Sequence, residues 1–122
     1  MSVSITAKLK EFFIDIIKTS TTVRGGICTS DGLPYFSTAI GAQSEQLDDI
    51  ISLLVVGVAE NAIRYGLLEE ASLQFSDAEI YVLAIPDRPQ FYAYLVFTSK
   101  KVPTEFFKQL LYDRRLKLSY LL

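Results

Sequence analysis

The sequence contains no histidine. Histidine is the commonest general base at neutral pH and a frequent metal ligand, so its absence excludes Cys–His dyads and every metal site that needs an imidazole. The pair Gly25 and Gly26 is not followed by the Gly-Lys-Ser or Gly-Lys-Thr of a phosphate-binding loop, which excludes that way of holding a nucleotide. We therefore predict a protein that is not an enzyme, with no catalytic residue, no metal site and no cofactor.

Cysteine and long apolar runs are also scarce. Cys28 is the single cysteine, so it cannot form an internal disulfide, and in an apparent strand it is expected to be a buried core residue. The chain does not open with the basic segment and apolar run of a signal peptide. Five polar residues interrupt the most apolar segment, residues 47–63, which falls short of the ~20 apolar residues of a membrane-spanning helix. These features predict a cytoplasmic protein without a membrane span.

Positive charge is not in excess. The chain has 12 lysines and arginines against 14 aspartates and glutamates, a formal net charge of −2, whereas nucleic-acid-binding domains concentrate basic residues into a patch. We therefore expect no nucleic-acid partner. The 122 residues are half apolar and 21% charged, which is typical of one globular domain, and we place a single domain over residues 1–122.

Three helices are predicted from apolar residues at three- and four-residue spacing. The first covers residues 5–17, and the second runs roughly from Ser44, which can cap its N-terminus, to residue 65, just before Gly66. The last is entered through Pro103 and Thr104. Its surroundings are locally basic and leucine-rich, and this C-terminal end either caps the sheet or meets a partner.

Five strands are predicted around these helices. Asp31 and Gly32 are typical of a tight turn between two β-prone runs, and three further runs form an antiparallel meander. The third strand alternates apolar and polar residues, as an edge strand does, whereas the last two are apolar at nearly every position, as expected when both faces are covered. The order α-β-β-α-β-β-β-α predicts an α/β fold in which a five-stranded antiparallel sheet has helices on both faces. The strands are residues 23–29, 34–39, 70–75, 79–85 and 91–98.

The second helix is apolar around most of its circumference. Only a narrow strip holding Asp49, Glu60 and Arg64 is polar. Such a helix must be covered on more than one side, and a 122-residue domain has little protein with which to do this. We therefore predict that a partner covers the helix and that the strand at 70–75 continues the sheet into that partner. The predicted dimer interface consists of Ile51, Leu54, Val55, Val56, Val58, Ala59, Ile63, Leu73 and Phe75.

Three segments together resemble the roadblock/dynein light-chain domain family: residues 26–35 (GICTSDGLPY), the long apolar helix, and residues 79–86 (EIYVLAIP) with 91–97. The resemblance covers roughly residues 5–118. It implies a fold that dimerises through its central helix and edge strand, as a homodimer or as a heterodimer with a paralogue. It also implies a platform or regulator for small Ras-like GTPases. The basic, leucine-rich C-terminal end departs from the family pattern.

Two functions from different classes follow. The resemblance implies a non-enzymatic dimeric scaffold or regulator that binds a small Ras-like GTPase. The alternative is a PAS-like or profilin-like small-molecule sensor or interaction domain, in which Tyr81, Tyr92 and Tyr94 would line a pocket against the sheet. Aromatic residues on a sheet are more often part of the core, which favours the first function.

Overall fold

The computed structural model describes residues 4–18, 20–38, 42–62, 65–99 and 101–122. These residues form helices and strands in the predicted order, except that the C-terminal helix is divided into two at Arg114. Within the described ranges, no helix has the length and apolar character needed to span a bilayer. The elements are α1 (Ile5–Ile17), β1 (Val23–Thr29), β2 (Pro34–Ser37), α2 (Ala42–Ala62), β3 (Glu70–Gln74), β4 (Glu79–Ile85), β5 (Arg88–Phe97), α3 (Thr104–Asp113) and α4 (Arg115–Leu121).

The five strands form one antiparallel sheet in the order β2-β1-β5-β4-β3. Strands β3, β4 and β5 are consecutive hairpins, which is the predicted meander. Strand β1 lies beside β5 although α2 and three strands separate them in sequence. As its alternating pattern predicts, β3 is an edge strand, and the almost entirely apolar β4 and β5 have neighbours on both sides.

One face of the sheet is covered by α1, α3 and α4. Helix α1 is capped by Ser4, whose hydroxyl accepts a hydrogen bond from the N–H of Ala7. The buried apolar residues of α1 recur at three- and four-residue spacing, which places them on the single stripe that faces the sheet. The buried cluster on this side includes Leu9, Phe12, Phe13 and Ile16 from α1, Ile27, Leu95 and Phe97 from the sheet, and Leu111 and Leu118 from α3 and α4.

The opposite face is covered by α2. Ile51 and Val55, one helical turn apart, are buried against Cys28, Val82 and Tyr94 of the sheet. A helix is about 10 Å wide and neighbouring strands are about 4.8 Å apart, so a single helix cannot cover five strands. The flanks of α2 and part of β3 therefore stay accessible.

The two tight turns of the sheet differ in how they follow the sequence pattern. The β1–β2 turn forms at Asp31 and Gly32 as predicted, and Gly32 has the left-handed φ of +91° that favours glycine. Strand β5 begins at Arg88 rather than at the predicted residue 91, which leaves only Pro86 and Asp87 between β4 and β5. Asp87 adopts a φ of +59°, which aspartate tolerates, so a two-residue turn replaces the predicted five-residue one.

Part of the locally basic C-terminal end caps the sheet. Lys108 of α3 is buried and forms an ion pair with Glu79 of β4 and a second with Glu105, at 3.1 Å from Nζ to Oε1. Burial lowers the pKa of Lys108, but hydrogen bonds to the two carboxylates outweigh it and raise the pKa overall. At Arg114 the backbone (φ −102°, ψ 8°) departs from helical geometry, which separates α3 from α4.

Gly26 of β1 lies where no side chain fits. An added Cβ would be 2.4 Å from the carbonyl oxygen of Phe36 and 2.4 Å from the hydroxyl of Tyr94. We expect Gly26→Ala to lower the free energy of unfolding by about 2 kcal/mol, the usual cost of overpacking, in urea titrations followed by circular dichroism. Ser72→Ala, an equally small change on exposed β3, is the control and should stay within about 0.5 kcal/mol. An unchanged midpoint for Gly26→Ala would contradict this close approach.

Candidate functional site

Several residues of the predicted dimer interface belong to the core of the single chain. Ile51 and Val55 face the sheet and are buried, and Ala59 packs partly against the same cluster. Val56 lies on the flank of α2 next to the β1–β2 turn, with its Cγ1 3.1 Å from the position of a Cβ at Gly32. These four residues hold α2 on the sheet and on the turn.

Other members of the predicted interface remain accessible. Leu54 and Val58, one turn apart on α2, are half-buried, and so is Leu73 of β3, which packs with Leu54 against the α2-side cluster. Leu53 adjoins them with 63% of its surface exposed. We call Leu53, Leu54, Val58 and Leu73 the α2–β3 surface. Ile63 lies outside the described residues.

The outer edge of β3 continues this surface. Within the described chain β3 is hydrogen-bonded to β4 alone, so alternate backbone N–H and C=O groups on its other side face away from the sheet. Phe75, which directly follows β3, is 48% exposed and lines a cleft of about 200 Å³ with Phe97 and Thr104. An apolar surface and an unpaired strand edge thus lie side by side.

The sequence prediction did not include Leu53 or Gly57. Both lie on the outer side of α2, and Leu53 follows Asp49 by four residues, within the strip that was assigned as polar. The signal available in the sequence was this four-residue spacing, which places Leu53 on the same side of the helix as Asp49. An added Cβ at Gly57 would meet no heavy atom of the described residues within 4 Å. Glycine inside a helix costs about 1 kcal/mol relative to alanine, although the described residues leave room for a side chain at this position.

Cys28 is a buried core thiol, as its sequence context predicts. It lies beneath α2 with no accessible surface, next to the equally buried Ser52. Burial raises the pKa of Cys28 to about 12, although a hydrogen bond with Ser52 works in the opposite direction. Because the thiolate is the nucleophilic form, this cysteine is unsuited to covalent catalysis.

The three tyrosines of the alternative function do not share a pocket. Tyr81 packs into the cluster under α1, α3 and α4, whereas Tyr92 and Tyr94 belong to the cluster under α2. Burial raises the pKa of Tyr81, and the hydrogen bond that its hydroxyl donates to Oε2 of Glu70, 2.6 Å long, raises it further. The tyrosines therefore serve two separate cores.

A polar cleft lies on the other side of β3 from α2. It has a volume of about 480 Å³ and opens between β3 and α3, and we call it the β3–α3 cleft. Among the described residues, no group of three or more acidic or cysteine side chains is arranged to hold a metal ion. The cleft is lined by Glu70, Ala71, Ser72, Tyr81, Glu105, Lys108, Gln109 and Tyr112.

Solved structures of other proteins share this fold. The chain is similar to the gliding protein MglB from Thermus thermophilus, with a TM-score of 0.79 and 15% sequence identity over 99% of this chain and 93% of that one. It is also similar to MglC from Myxococcus xanthus, with a TM-score of 0.68 and 10% identity over 93% and 98% of the two chains. A roadblock/LC7 domain from Streptomyces avermitilis matches with a TM-score of 0.64 and 11% identity over 90% and 97%.

These similarities confirm the predicted roadblock-like fold, with its five-stranded antiparallel sheet and helices on both faces. At the level of sequence, no protein-family model and no curated protein matches the chain. At identities of 10–15%, the structural similarity establishes the fold alone.

Cys28 is expected to be unreactive while the protein is folded. Ellman's reagent at pH 8 should label less than about a tenth of the thiol in the time that it labels all of it in concentrated urea.

Since the pKa of Cys28 rises from 9.0 to about 12 on folding, the unfolded state releases its proton first, and the stability of the protein should fall as the pH rises above 9. In Cys28→Ala this alkaline loss should be smaller. Rapid labelling of the folded protein would contradict the burial.

Proposed function

We propose that this protein is a non-enzymatic, cytoplasmic scaffold or regulator that acts as a dimer and binds a small Ras-like GTPase. One observation carries the proposal: the uncovered α2–β3 surface lies beside an unpaired strand edge. A second copy satisfies both, because its helix covers the apolar residues while its strand pairs with β3. The roadblock-like fold supports this arrangement.

The proposed dimer is isologous, so each copy presents the same surface to the other. The two β3 strands pair antiparallel about a two-fold axis, and the sheet continues from one copy into the next. Leu54 and Leu73 are half-buried on the α2 side of this edge and lose their remaining exposure. A paralogue with the same α2–β3 surface can replace one copy, which gives the heterodimeric form of the same proposal.

The GTPase part of the proposal rests on the family resemblance of the sequence. In that family, dimers of this fold serve small Ras-like GTPases as platforms or regulators. The present sequence has no Gly-Lys-Ser or Gly-Lys-Thr, so the nucleotide has to be brought by the partner. Binding on a surface composed from both copies would make dimerisation a condition of function.

The dimer interface can be tested at Val58. In a single chain an aspartate at this half-buried position can reach solvent, whereas between two packed helices its charge would be buried without a partner. We expect the wild type to be a dimer, and Val58→Asp to raise the dissociation constant at least about tenfold, in light scattering over a dilution series. Leu116→Asp is the matched control, because Leu116 is an exposed apolar residue of α4, and it should keep the dimer mass.

Gly57→Leu provides a second variant that is compatible with a folded single chain. A side chain at this position has open space within the described residues and improves helix propensity, so the monomer should be at least as stable. Between two α2 helices the added leucine would force the backbones apart and weaken the dimer. If Val58→Asp and Gly57→Leu both kept the wild-type mass at every dilution, α2 would not be the interface.

GTPase binding can be tested with the purified small Ras-like GTPases of the same cell. Each GTPase is loaded with GDP or with a non-hydrolysable GTP analogue, and its binding to this protein is measured by isothermal titration calorimetry. We expect one of them to bind with a Kd of about 10 μM or lower, at least about tenfold tighter in one nucleotide state, and to lose binding to monomeric Val58→Asp. If none binds in either state while the wild type is dimeric, the GTPase role is wrong and the dimer stands.

A further inference from the structure

The side of β3 that faces away from α2 is an unpartnered sheet face. Strand alternation places Glu70, Ser72 and Gln74 on this side, opposite Ala71 and Leu73. Helices α3 and α4 pack over the inner strands and leave β3 at the rim, so the β3–α3 cleft stays open along the sheet edge. The cleft is large enough for several side chains.

Negative charge is concentrated around this cleft. Glu70 and Glu105 line it, and Glu79 lies behind it against Lys108, so that three carboxylates and one ammonium give a local charge of −2. The whole chain also has a formal charge of −2, from 14 acidic and 12 basic residues. Removing the cleft groups leaves 11 acidic and 11 basic residues, so the rest of the chain is balanced. The region of the cleft therefore carries an excess of negative charge.

Internal contacts hold these carboxylates in place. The hydroxyl of Tyr81 donates to Oε2 of Glu70 at 2.6 Å, and Nζ of Lys108 lies 3.1 Å from Oε1 of Glu105. Each contact uses one oxygen of its carboxylate, and the side chain of Glu105 is 87% exposed. The positive charge of Lys108 is shared between Glu105 and the partly buried Glu79, so it does not neutralise the cleft.

The cleft continues along the sheet edge. A second cleft of about 360 Å³ shares Glu70 and Tyr112 with the first and adds the exposed Glu69, the β4 residues beside it and Arg115, whose guanidinium lies over the ring of Tyr112. The two clefts follow β3 on one side and α3 on the other. Their combined length suits a stretch of chain, and a single ion or metabolite would fill only a part of it.

We propose that the β3–α3 cleft is a docking surface for an extended protein segment that carries lysine or arginine. Charge complementarity selects a basic partner, and the carboxylates of Glu70 and Glu105 offer oxygens to its ammonium or guanidinium groups. The cleft uses a face of β3, not its edge, and lies on the side of the sheet opposite α2. The proposal therefore goes beyond the proposed function and does not depend on it.

The test is a nuclear magnetic resonance titration of ¹⁵N-labelled full-length protein with a capped Lys-Ser-Lys-Ser-Lys peptide. An extended conformation places its three lysines on one side. We expect the largest amide shifts at Ser72, Tyr81 and Gln109, and at least a tenfold weaker affinity for the double variant Glu70→Gln/Glu105→Gln. The two introduced glutamines keep the contacts of the cleft, because each side chain still has a carbonyl oxygen that accepts a hydrogen bond from Tyr81 or Lys108.

Two controls accompany the titration. The double variant Glu11→Gln/Glu60→Gln removes two exposed carboxylates on α1 and α2 and should bind the peptide like wild type. A capped Glu-Ser-Glu-Ser-Glu peptide should cause no shifts. If the lysine peptide shifts acidic residues evenly over the surface, or binds both double variants equally well, the docking surface is wrong. The dimer mass is measured for every variant and should not change, which separates this outcome from failure of the proposed dimer.

Discussion

The inner strands of the sheet carry apolar side chains on both faces, and the need to cover both faces governs the arrangement of the helices. Val82 and Tyr94 point to one side, and Leu83 and Leu95 to the other, all with little or no accessible surface. Among the described elements, three helices meet this need on one face and α2 alone meets it on the other. Because a single helix spans about two strand spacings, the face under α2 is the one that keeps accessible apolar residues.

The charged residues of the C-terminal end and those of the sheet edge have different roles. The C-terminal end is rich in basic residues, and two of its cations make contacts within the chain. Lys108 is paired with Glu79 and Glu105, and the guanidinium of Arg115 lies over the ring of Tyr112 at 3.9 Å from its centroid. This end therefore behaves as a cap on the sheet. The exposed acidic side chains of Glu69 and Glu70 give the β3 edge of the sheet its negative charge.

Most of the architecture follows from patterns that the sequence displays. The spacing of apolar residues in α1, the Asp31–Gly32 turn and the alternation in β3 each reflect one local requirement, and the structure agrees with them. The differences arise where a local pattern allows two outcomes. A run containing Pro86 and Asp87 suits a loop of two or of five residues, and the pairing of Ile85 with Arg88 decides between them.

The candidate site was harder to predict for the same reason. An apolar helix surface does not reveal which residues its own sheet will bury, so Ile51 and Val55 were predicted beside Leu54 and Val58 although only the latter pair stays accessible. Leu53 was missed because it lies on the same strip of the helix as the acidic residues Asp49 and Glu60. The pairing of Lys108 with Glu79 joins residues far apart in sequence, and no spacing rule indicates it.

The two edges of the sheet are unequal, and this bears on how many copies can assemble. Strand β2 is short, begins with Pro34, which has no N–H to donate, and is joined to β1 through an irregularity next to Cys28. Such an edge is a poor template for another strand. In the proposed assembly β3 pairs with its own symmetry copy, so neither copy keeps an unpaired β3 edge. Growth then closes at two copies, and the sheet is protected from open-ended polymerisation into fibres.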